Sequence, residues 1–317
     1  MKLRQRPGDF AVRERLEPAL VPAGVLGLYR LAKRGVTTAA AVRDIARRLR
    51  LSPRQIGVGG LKDTHAEAVQ HLTFPGPSRK GLQGRGWRLD PVGRVAEPLR
   101  PGATKGNAFE IIVRDLSAEE AEAAHARLPE AARAGVPNYF DSQRFGSLAG
   151  GRGFAARDLI AGRYEQALRD LLTGTYRGQD RMEQSRREAL ASAWGDWARL
   201  AGSLPPGEAR AVACYLRDHP GAFSGALRSL AEGTRWQTLA AYQSHLFNEM
   251  LGRFLRRSMP GGVEVEIRSG KLYFPLKTEP AALSLNPWPL PRRGAVAPPG
   301  IDEDYRAVLE AEGIGME

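Results

Sequence analysis

The chain has 317 residues, 42% of them hydrophobic, which is enough for one large domain or two ordinary ones and excludes a disordered protein. It carries 47 basic and 35 acidic residues, and the net charge of +12 favours a polyanionic partner such as nucleic acid. Because 40 of the 47 basic residues are arginine, a GC-rich genome or growth at high temperature would also explain the charge. The sequence has no apolar run long enough for a membrane span and no signal-peptide core. Its single cysteine, Cys214, predicts a reducing cytoplasm.

The first half of the chain has the patterns of mixed α and β structure. Alternation at Phe10–Val12 predicts a strand, and apolar residues at helical spacing in 42–49 predict a helix. Short β-like segments at 55–58 and 69–74 predict two further strands. Between these two strands lies the loop Gly59–His65, which begins with two glycines and carries an acid.

The pattern of strand followed by helix then repeats. Asn107–Arg114 predicts another strand, because its apolar residues alternate. Ser117 and Glu120 have the spacing of a capping box, which predicts the start of a helix. That helix is expected to end near Gly135 and Pro137.

The second half of the chain is predicted to be mostly helical. Helical patterns fill 154–257, and the apolar stripe of Leu239–Leu255 predicts a core-facing helix. After Met259 the abundance of proline and glycine predicts loops and short strands. The glycine-rich stretch around residue 150 marks the expected boundary between two domains, 1–150 and 151–317.

Asp63 is the candidate for carboxylate chemistry. The sequence has no Walker loop, no strand-linked G-x-G-x-x-G, no H-E-x-x-H and no cysteine pair, and its five histidines lack metal-ligand spacing. We therefore expect neither a metal nor a nucleotide cofactor. An aspartate that follows a glycine turn and Lys62 between two strands can lie at the mouth of a sheet cleft. A solvated turn aspartate is the alternative.

The segment Pro137–Gly146 is the second candidate. It combines two stackable rings, an amide and an arginine within ten residues. Enzymes that act on RNA bases need such groups, because a base that leaves its stack must be held on an aromatic face. Aromatic core residues beside a loop would produce the same composition.

Both segments resemble motifs of one enzyme family. Gly60–Asp63, with Ala66 and Gln70 downstream, resembles the catalytic G-x-K-D motif of TruD-type pseudouridine synthases. Pro137–Gly146 is similar to the second motif of that family, an N-Y-F…Q-R-F-G run. Three more segments resemble family motifs in the same order: P-E-D-F-x-V-x-E at Pro7–Glu14, G-N-x-F at Gly106–Phe109 and Y-Q-S-x-L-F-N-E at Tyr242–Glu249.

The resemblance implies a fold and an activity. The fold would be α+β, with a pseudouridine-synthase-like catalytic domain on a mixed or antiparallel sheet in 1–150. A largely helical TruD-type insertion domain in 151–317 would face it across a basic cleft. The activity would be isomerisation of a uridine in tRNA, typically uridine-13 of the D arm, to pseudouridine. The enzyme would need no cofactor and is expected to be a cytoplasmic monomer with tRNA as its partner.

The resemblance also implies roles for individual residues. Asp63 would be the catalytic residue, which either attacks C1′ of the ribose or takes a proton from C2′. Arg4, where the family often has lysine, and Lys62 would be the cations that keep it charged, although Lys62 could instead hold a phosphate. Phe140 would stack on the uracil and Asn138 would position it. The remaining candidates for RNA or pocket contacts are Gln143, Arg144, Lys105, Asn107 and Gln70, the last of which could be structural.

One departure from the family keeps an alternative open. The family's closing strand, of the form F-x-L-P-x-G-S-Y-A-T, and its helix have no counterpart before Glu317. We therefore expect the closing part of the catalytic domain to be missing, which would leave a sheet edge uncovered. A catalytically impaired tRNA-binding or chaperone homologue is the alternative function. A metal-dependent nuclease using Asp9, Asp63 and Asp141 is disfavoured because these acids are scattered.

Overall fold

The chain forms two compact units in a computed structural model. The first unit is Met1–Arg127 and the second is Leu128–Glu317. The stretch around residue 150 lies largely outside the described residues, so the division into domains 1–150 and 151–317 stays a prediction. The structure describes residues 1–76, 80–145, 153–175, 179–267, 269–276, 288–292, 294, 296–297 and 300–315.

The first unit is built on a mixed sheet. Its strands are β1 (Lys2–Leu3), β2 (Phe10–Arg15), β3 (Leu26–Arg34), β4 (Gly57–Val58), β5 (Glu67–Pro75), β6 (Leu82–Gly84), β7 (Trp87–Val95), β8 (Gly106–Ile111) and β9 (Val113–Arg114). The main sheet has the order β6-β7-β3-β5-β2-β8, with β4 on β5, and β1 pairs with β9. Its pairings are antiparallel except that of β2 with β5, which is parallel. These strands confirm the mixed sheet that the sequence predicts.

Helix α1 (Thr38–Leu49) covers one face of this sheet. The Thr37 hydroxyl accepts a hydrogen bond from the Ala40 N–H at 3.0 Å and so caps the helix start. The apolar stripe predicted at 42–49 faces the sheet, and Ile45 is fully buried. Beneath it the rings of Tyr29 and Phe74 stack with centroids 4.1 Å apart.

The predicted strand 107–114 is interrupted. It divides into β8 and β9 at Ile112, whose N–H donates to the Asp9 carbonyl at 2.8 Å. Strand β8 is the last strand of the described sheet, and its Phe109 and Ile111 are exposed. The alternation therefore predicts the strand correctly, but it does not reveal the break.

Most of the second unit is helical, as predicted. Its elements are α2 (Ala118–Ala134), which runs through the division between the units, α3 (Ala155–Ile160), α4 (Tyr164–Thr173), α5 (Arg181–Ser192), α6 (Trp197–Ser203), α7 (Glu208–Asp218), α8 (Phe223–Ala226), α9 (Glu232–Ser258), β10 (Gly262–Ile267), β11 (Gly270–Pro275) and α10 (Asp302–Ala311). The capping box of α2 is present, since Ser117 and Glu120 bond each other's backbone N–H at 3.0 and 2.8 Å.

Helix α9 organises the part of the second unit that carries the candidate residues. Its buried side chains include Leu246, Met250 and Leu255, which confirms the predicted core-facing stripe, whereas Leu239 at the start of the stripe is exposed. One side of α9 packs against α3 and α10, and Leu251 and Leu255 near its C-terminal end pack against the hairpin of β10 and β11. Within the part of the chain that the structure describes, no helix is long and apolar enough to cross a membrane.

Candidate active site

Asp63 lies on the loop between β4 and β5, close to Arg4. The Arg4 Nη2 is 3.7 Å from the Asp63 Oδ2, and the two side chains are 43% and 36% exposed. The Arg4 guanidinium also lies over the Phe10 ring, 4.0 Å from its centroid. The His65 Nε2 is 3.0 Å from the Arg4 carbonyl oxygen. The predicted pairing of Arg4 with Asp63 is therefore present in the structure, as an ion pair at the surface.

Buried side chains hold the backbone of this loop. The Lys62 N–H donates to the Thr38 hydroxyl at 3.1 Å, and that hydroxyl donates to the Gln70 Oε1 at 2.8 Å. The Gln70 Nε2 in turn donates to the Gly60 carbonyl at 3.3 Å. Gln70 is fully buried, so these contacts support the structural role that the sequence left open for it and do not support a contact with RNA.

Lys33 is the third buried residue of this frame. Its ammonium donates to the Val36 and Lys62 carbonyls, each at 3.0 Å, and to the Asp63 carbonyl at 2.6 Å. Burial lowers the pKa of Lys33, and the nearby Asp63 carboxylate opposes this effect in part. The loop that carries Asp63 is thus fixed from within the unit.

The Lys62 side chain points to a different acid. Its Nζ is 3.0 Å from the Glu14 Oε1, and both side chains are almost completely buried. The other Glu14 oxygen accepts hydrogen bonds from the His71 N–H at 2.8 Å and from its Nδ1 at 3.2 Å. Burial raises the pKa of Glu14, but the hydrogen bonds from His71 and Lys62 outweigh it and leave the pKa below its usual value. No contact in the described structure supports Lys62 as a second cation on Asp63, and that role stays a prediction.

The glycine that begins the loop allows it to pass close to Glu14. A Cβ on Gly59 would lie 3.2 Å from the Glu14 Oε1 and 2.7 Å from the Thr104 Cγ2, which is too close for any larger residue. The loop therefore leaves little room for a Cβ at this position, chiefly because of the Thr104 methyl group and to a smaller extent because of Glu14.

In the second unit, α9 holds the segment that contains Phe140. The Asn248 side chain accepts from the Phe140 N–H at 2.9 Å and donates to the Phe140 carbonyl at 2.8 Å. The Phe247 ring meets the Phe140 ring edge-on at 5.6 Å. The Arg144 guanidinium lies 5.5 Å from the Phe140 centroid, and its Nε donates to the Ser244 hydroxyl at 3.0 Å. The family-like motif on α9 and the motif at 137–146 are therefore in direct contact.

The remaining candidate residues are at the surface. Asn138 and Gln143 are exposed in the second unit, and Asn107 is exposed on β8. Lys105 is exposed and forms an ion pair with Glu17. Gly146, the last residue of the second motif, lies outside the described residues. These positions are accessible to a ligand, and their roles stay predictions.

Three buried polar residues were not predicted as members of the site. Lys33 occupies a strand position that alternates inward with Leu31, and a lysine at such a position is a signal that sequence reasoning could have used. Asn248 interrupts the apolar stripe of α9 in the same way. Glu14 lies in one of the family-like motifs, but its pairing with Lys62, far along the chain, leaves no local signal.

Comparisons with known proteins agree on one family. The family model of TruD, tRNA pseudouridine synthase D, matches residues 1–266. A Methanococcus maripaludis protein named "Probable tRNA pseudouridine synthase D 1" is 32% identical over 272 residues, which cover 82% of this chain and 68% of that protein. One from Methanocaldococcus jannaschii, named "Probable tRNA pseudouridine synthase D 2", is 29% identical over 330 aligned positions, covering 100% of this chain and 77% of that protein.

A solved structure supports the same assignment. The crystal structure of a Methanosarcina mazei protein named "Putative tRNA pseudouridine synthase D (TruD)" matches this chain with a TM-score of 0.77 and 25% identity, and the match covers 100% of this chain and 79% of that one. This similarity confirms the predicted α+β, pseudouridine-synthase-like fold. Because the family model also matches most of the sequence, the chain belongs to the tRNA pseudouridine synthase D (TruD) family of enzymes.

Proposed function

We propose that this chain isomerises uridine-13 in the D arm of tRNA to pseudouridine, with Asp63 as its catalytic residue. The observation that carries the proposal is the Asp63 carboxylate beside Arg4, on a loop whose backbone is fixed by buried polar side chains. A catalytic carboxylate must be ionised, and a neighbouring guanidinium favours the charged form. Membership of the family supports the reaction class and tRNA as the substrate.

The chemistry that we assign to Asp63 needs no cofactor. In one route a carboxylate oxygen bonds to C1′ as the N1–C1′ bond breaks and uracil leaves with the electron pair. After the base turns over, C5 attacks C1′ and displaces the carboxylate. In the other route the carboxylate takes the C2′ proton as the N1–C1′ bond breaks, and returns it when C5 adds to C1′. In both routes C5 loses its hydrogen and N1 gains one, so the product is an isomer.

We assign the handling of the base to the segment around Phe140. An aromatic face is worth about 1–3 kcal/mol to a stacked base, which offsets part of the cost of unstacking it. The amide of the exposed Asn138 is suited to hydrogen bonds with the uracil edge. The contacts from Asn248 and Phe247 support this role, because they hold the Phe140 ring in one place.

Pseudouridine mapping on an unmodified tRNA transcript tests the proposal. The wild-type chain should produce pseudouridine at position 13, and the Asp63→Asn variant should produce none while binding the tRNA as the wild type does. Conversion by the variant would exclude Asp63 as the catalytic residue. Tight tRNA binding by the wild-type chain without any conversion would instead favour the impaired tRNA-binding homologue.

An isotope effect distinguishes the two routes. A transcript carrying deuterium at C2′ of the target uridine slows the reaction only if the C2′–H bond breaks in a rate-limiting step. A primary isotope effect in a single turnover therefore shows that the C2′–H bond breaks, which supports the route in which Asp63 takes this proton. Equal rates for the two transcripts favour attack on C1′.

A further inference from the structure

We infer that Lys33 is a positioning residue for the reaction, which fixes the backbone of Asp63 through hydrogen bonds from its ammonium to three carbonyl oxygens. The inference rests on the proposed function for its effect on rate. The contacts that Lys33 makes can be tested separately from that function.

All three N–H donors of the Lys33 ammonium have a carbonyl acceptor. A lysine ammonium has three N–H donors, and here three carbonyl oxygens lie within 3.0 Å of it. Two of these carbonyls belong to consecutive loop residues, Lys62 and Asp63. The third belongs to Val36, just before the cap of α1. Lys33 thus ties the end of its own strand, the start of α1 and the catalytic loop to a single point.

The ammonium of Lys33 is buried. Lys33 is 3% exposed, and burial of an ammonium is unfavourable unless hydrogen bonds or opposite charges compensate for the lost hydration. The three carbonyl dipoles compensate for part of the lost hydration. The negative charge of Asp63 also favours the protonated amine of Lys33.

Among the buried side chains that hold this loop, it is that of Lys33 that bonds the Asp63 carbonyl. Thr38 and Gln70 bond the loop at Lys62 and Gly60 and leave the Asp63 carbonyl to Lys33. Without the ammonium, the Lys62 and Asp63 carbonyls of the loop lose this donor, and the Asp63 backbone is freer to move. Displacement of a catalytic group by about 1 Å can lower a rate about 100-fold.

Two variants separate the loss of the hydrogen bonds from the loss of the positive charge. Lys33→Met keeps the length of the side chain and removes both the charge and the donors. Lys33→Arg keeps the charge, but a planar guanidinium cannot point at three converging carbonyls as an ammonium does. The matched control is Lys271→Met, which removes an exposed lysine of the second unit that pairs with Glu264 at 3.4 Å.

The test combines single-turnover kinetics, tRNA binding and hydrogen exchange. We expect Lys33→Met to lower the single-turnover rate constant by about 100-fold and to change the Kd for tRNA by less than about threefold. Lys33→Arg should fall between Lys33→Met and wild type, and Lys271→Met should match wild type. Exchange of the amides in 59–65 should be faster in Lys33→Met, whereas exchange in the last turns of α1, at 44–49, should be unchanged.

Defined results would overturn the inference. An unchanged rate constant and unchanged exchange in Lys33→Met would exclude it, and so would a loss of rate accompanied by faster exchange throughout the first unit. If Lys33→Met does not fold, Thr38→Val and Lys33→Arg are measured, and the inference requires Lys33→Arg to lower the rate constant without weakening tRNA binding. If the wild-type chain makes no pseudouridine, the proposed function fails, and loop exchange alone then decides whether Lys33 fixes the loop.

Discussion

Replacement of Asn248 tests whether α9 acts as the support for Phe140. The Asn248 amide is buried and bonds both backbone polar groups of Phe140, at 2.9 and 2.8 Å. Asn248→Ala removes both bonds and leaves the Phe140 N–H and carbonyl without a partner. Asn248→Asp keeps the acceptor, but its carboxylate faces the Phe140 carbonyl without a hydrogen to donate.

The expected loss of stability follows from these two bonds. An unsatisfied buried polar group costs about 1–3 kcal/mol. Because Phe140 is only partly buried, water can replace some of what is lost, so we expect Asn248→Ala to lower the free energy of unfolding by about 2–3 kcal/mol. Movement of the Phe140 ring should also lower kcat/KM about 10-fold to 100-fold.

Asn248→Asp gives the sharper test because it depends on pH. Burial raises the pKa of an aspartate at this position, and the protonated acid can donate its O–H to the Phe140 carbonyl as the amide does. The difference in unfolding free energy between Asn248→Asp and wild type should therefore shrink as the pH falls. Urea unfolding at a series of pH values measures it.

A matched control lies on the same helix. Gln243 also donates its amide to a backbone carbonyl, that of Pro291 at 2.8 Å, but it does not bond Phe140. Gln243→Ala should cost about 1 kcal/mol of stability and leave kcat/KM unchanged. Equal losses of kcat/KM in Gln243→Ala and Asn248→Ala would refute the reasoning, and so would a pH-independent deficit in Asn248→Asp.

Three further perturbations have defined outcomes. Arg4→Met should lower kcat by up to about 5-fold. The 3.7 Å pair with Asp63 is exposed, so solvent screening limits its value to about 1 kcal/mol or less, and steady-state kinetics measures the loss. Phe140→Ala should weaken the productive complex by about 1–3 kcal/mol, seen as a lower kcat/KM. A hydrogen bond from Arg114 lowers the pKa of Asp9 from 3.8 to about 2. Stability that depends on the charged Asp9 is therefore present above pH 3.8 and is lost as the pH falls towards 2, and Asp9→Asn should flatten this part of the urea-unfolding profile.

Each of these predictions has a result that would contradict it. Full activity of Arg4→Met would show that Asp63 does not need this cation. Phe140→Leu keeps an apolar side chain without an aromatic face, so activity equal to wild type would argue against stacking. An Asp9→Asn profile that still falls steeply between pH 3.8 and 2 would assign the acid transition to other carboxylates.

Local patterns predicted most of the secondary structure because local interactions determine it. The stripe in 42–49 predicted α1, since only one face of that helix is buried, and Ser117 with Glu120 predicted the start of α2. The alternation in 107–114 was less informative. The break at Ile112 depends on a hydrogen bond to Asp9, which lies far away in the sequence.

In the site, too, local patterns were informative, whereas contacts between residues far apart in the sequence were not foreseen. The pairing of Arg4 with Asp63 was expected from the family resemblance, and the structure contains it. The partner of Lys62 was not foreseen, because Glu14 approaches it only when β2 and β5 pair. The role of Lys33 in holding the loop depends equally on tertiary contacts. Composition and spacing identify reactive side chains, whereas the buried groups that hold them require the fold.

Tritium release from tRNA tests the central claim most directly. Formation of pseudouridine replaces the C5–H bond of the target uridine by a C5–C1′ bond, so a transcript labelled with tritium at C5 releases its label to water. The wild-type chain should release one equivalent of tritium from uridine-13, and Asp63→Asn should release none while it still binds the transcript. Release by Asp63→Asn, or equal release from a transcript with cytidine at position 13, would contradict the assignment.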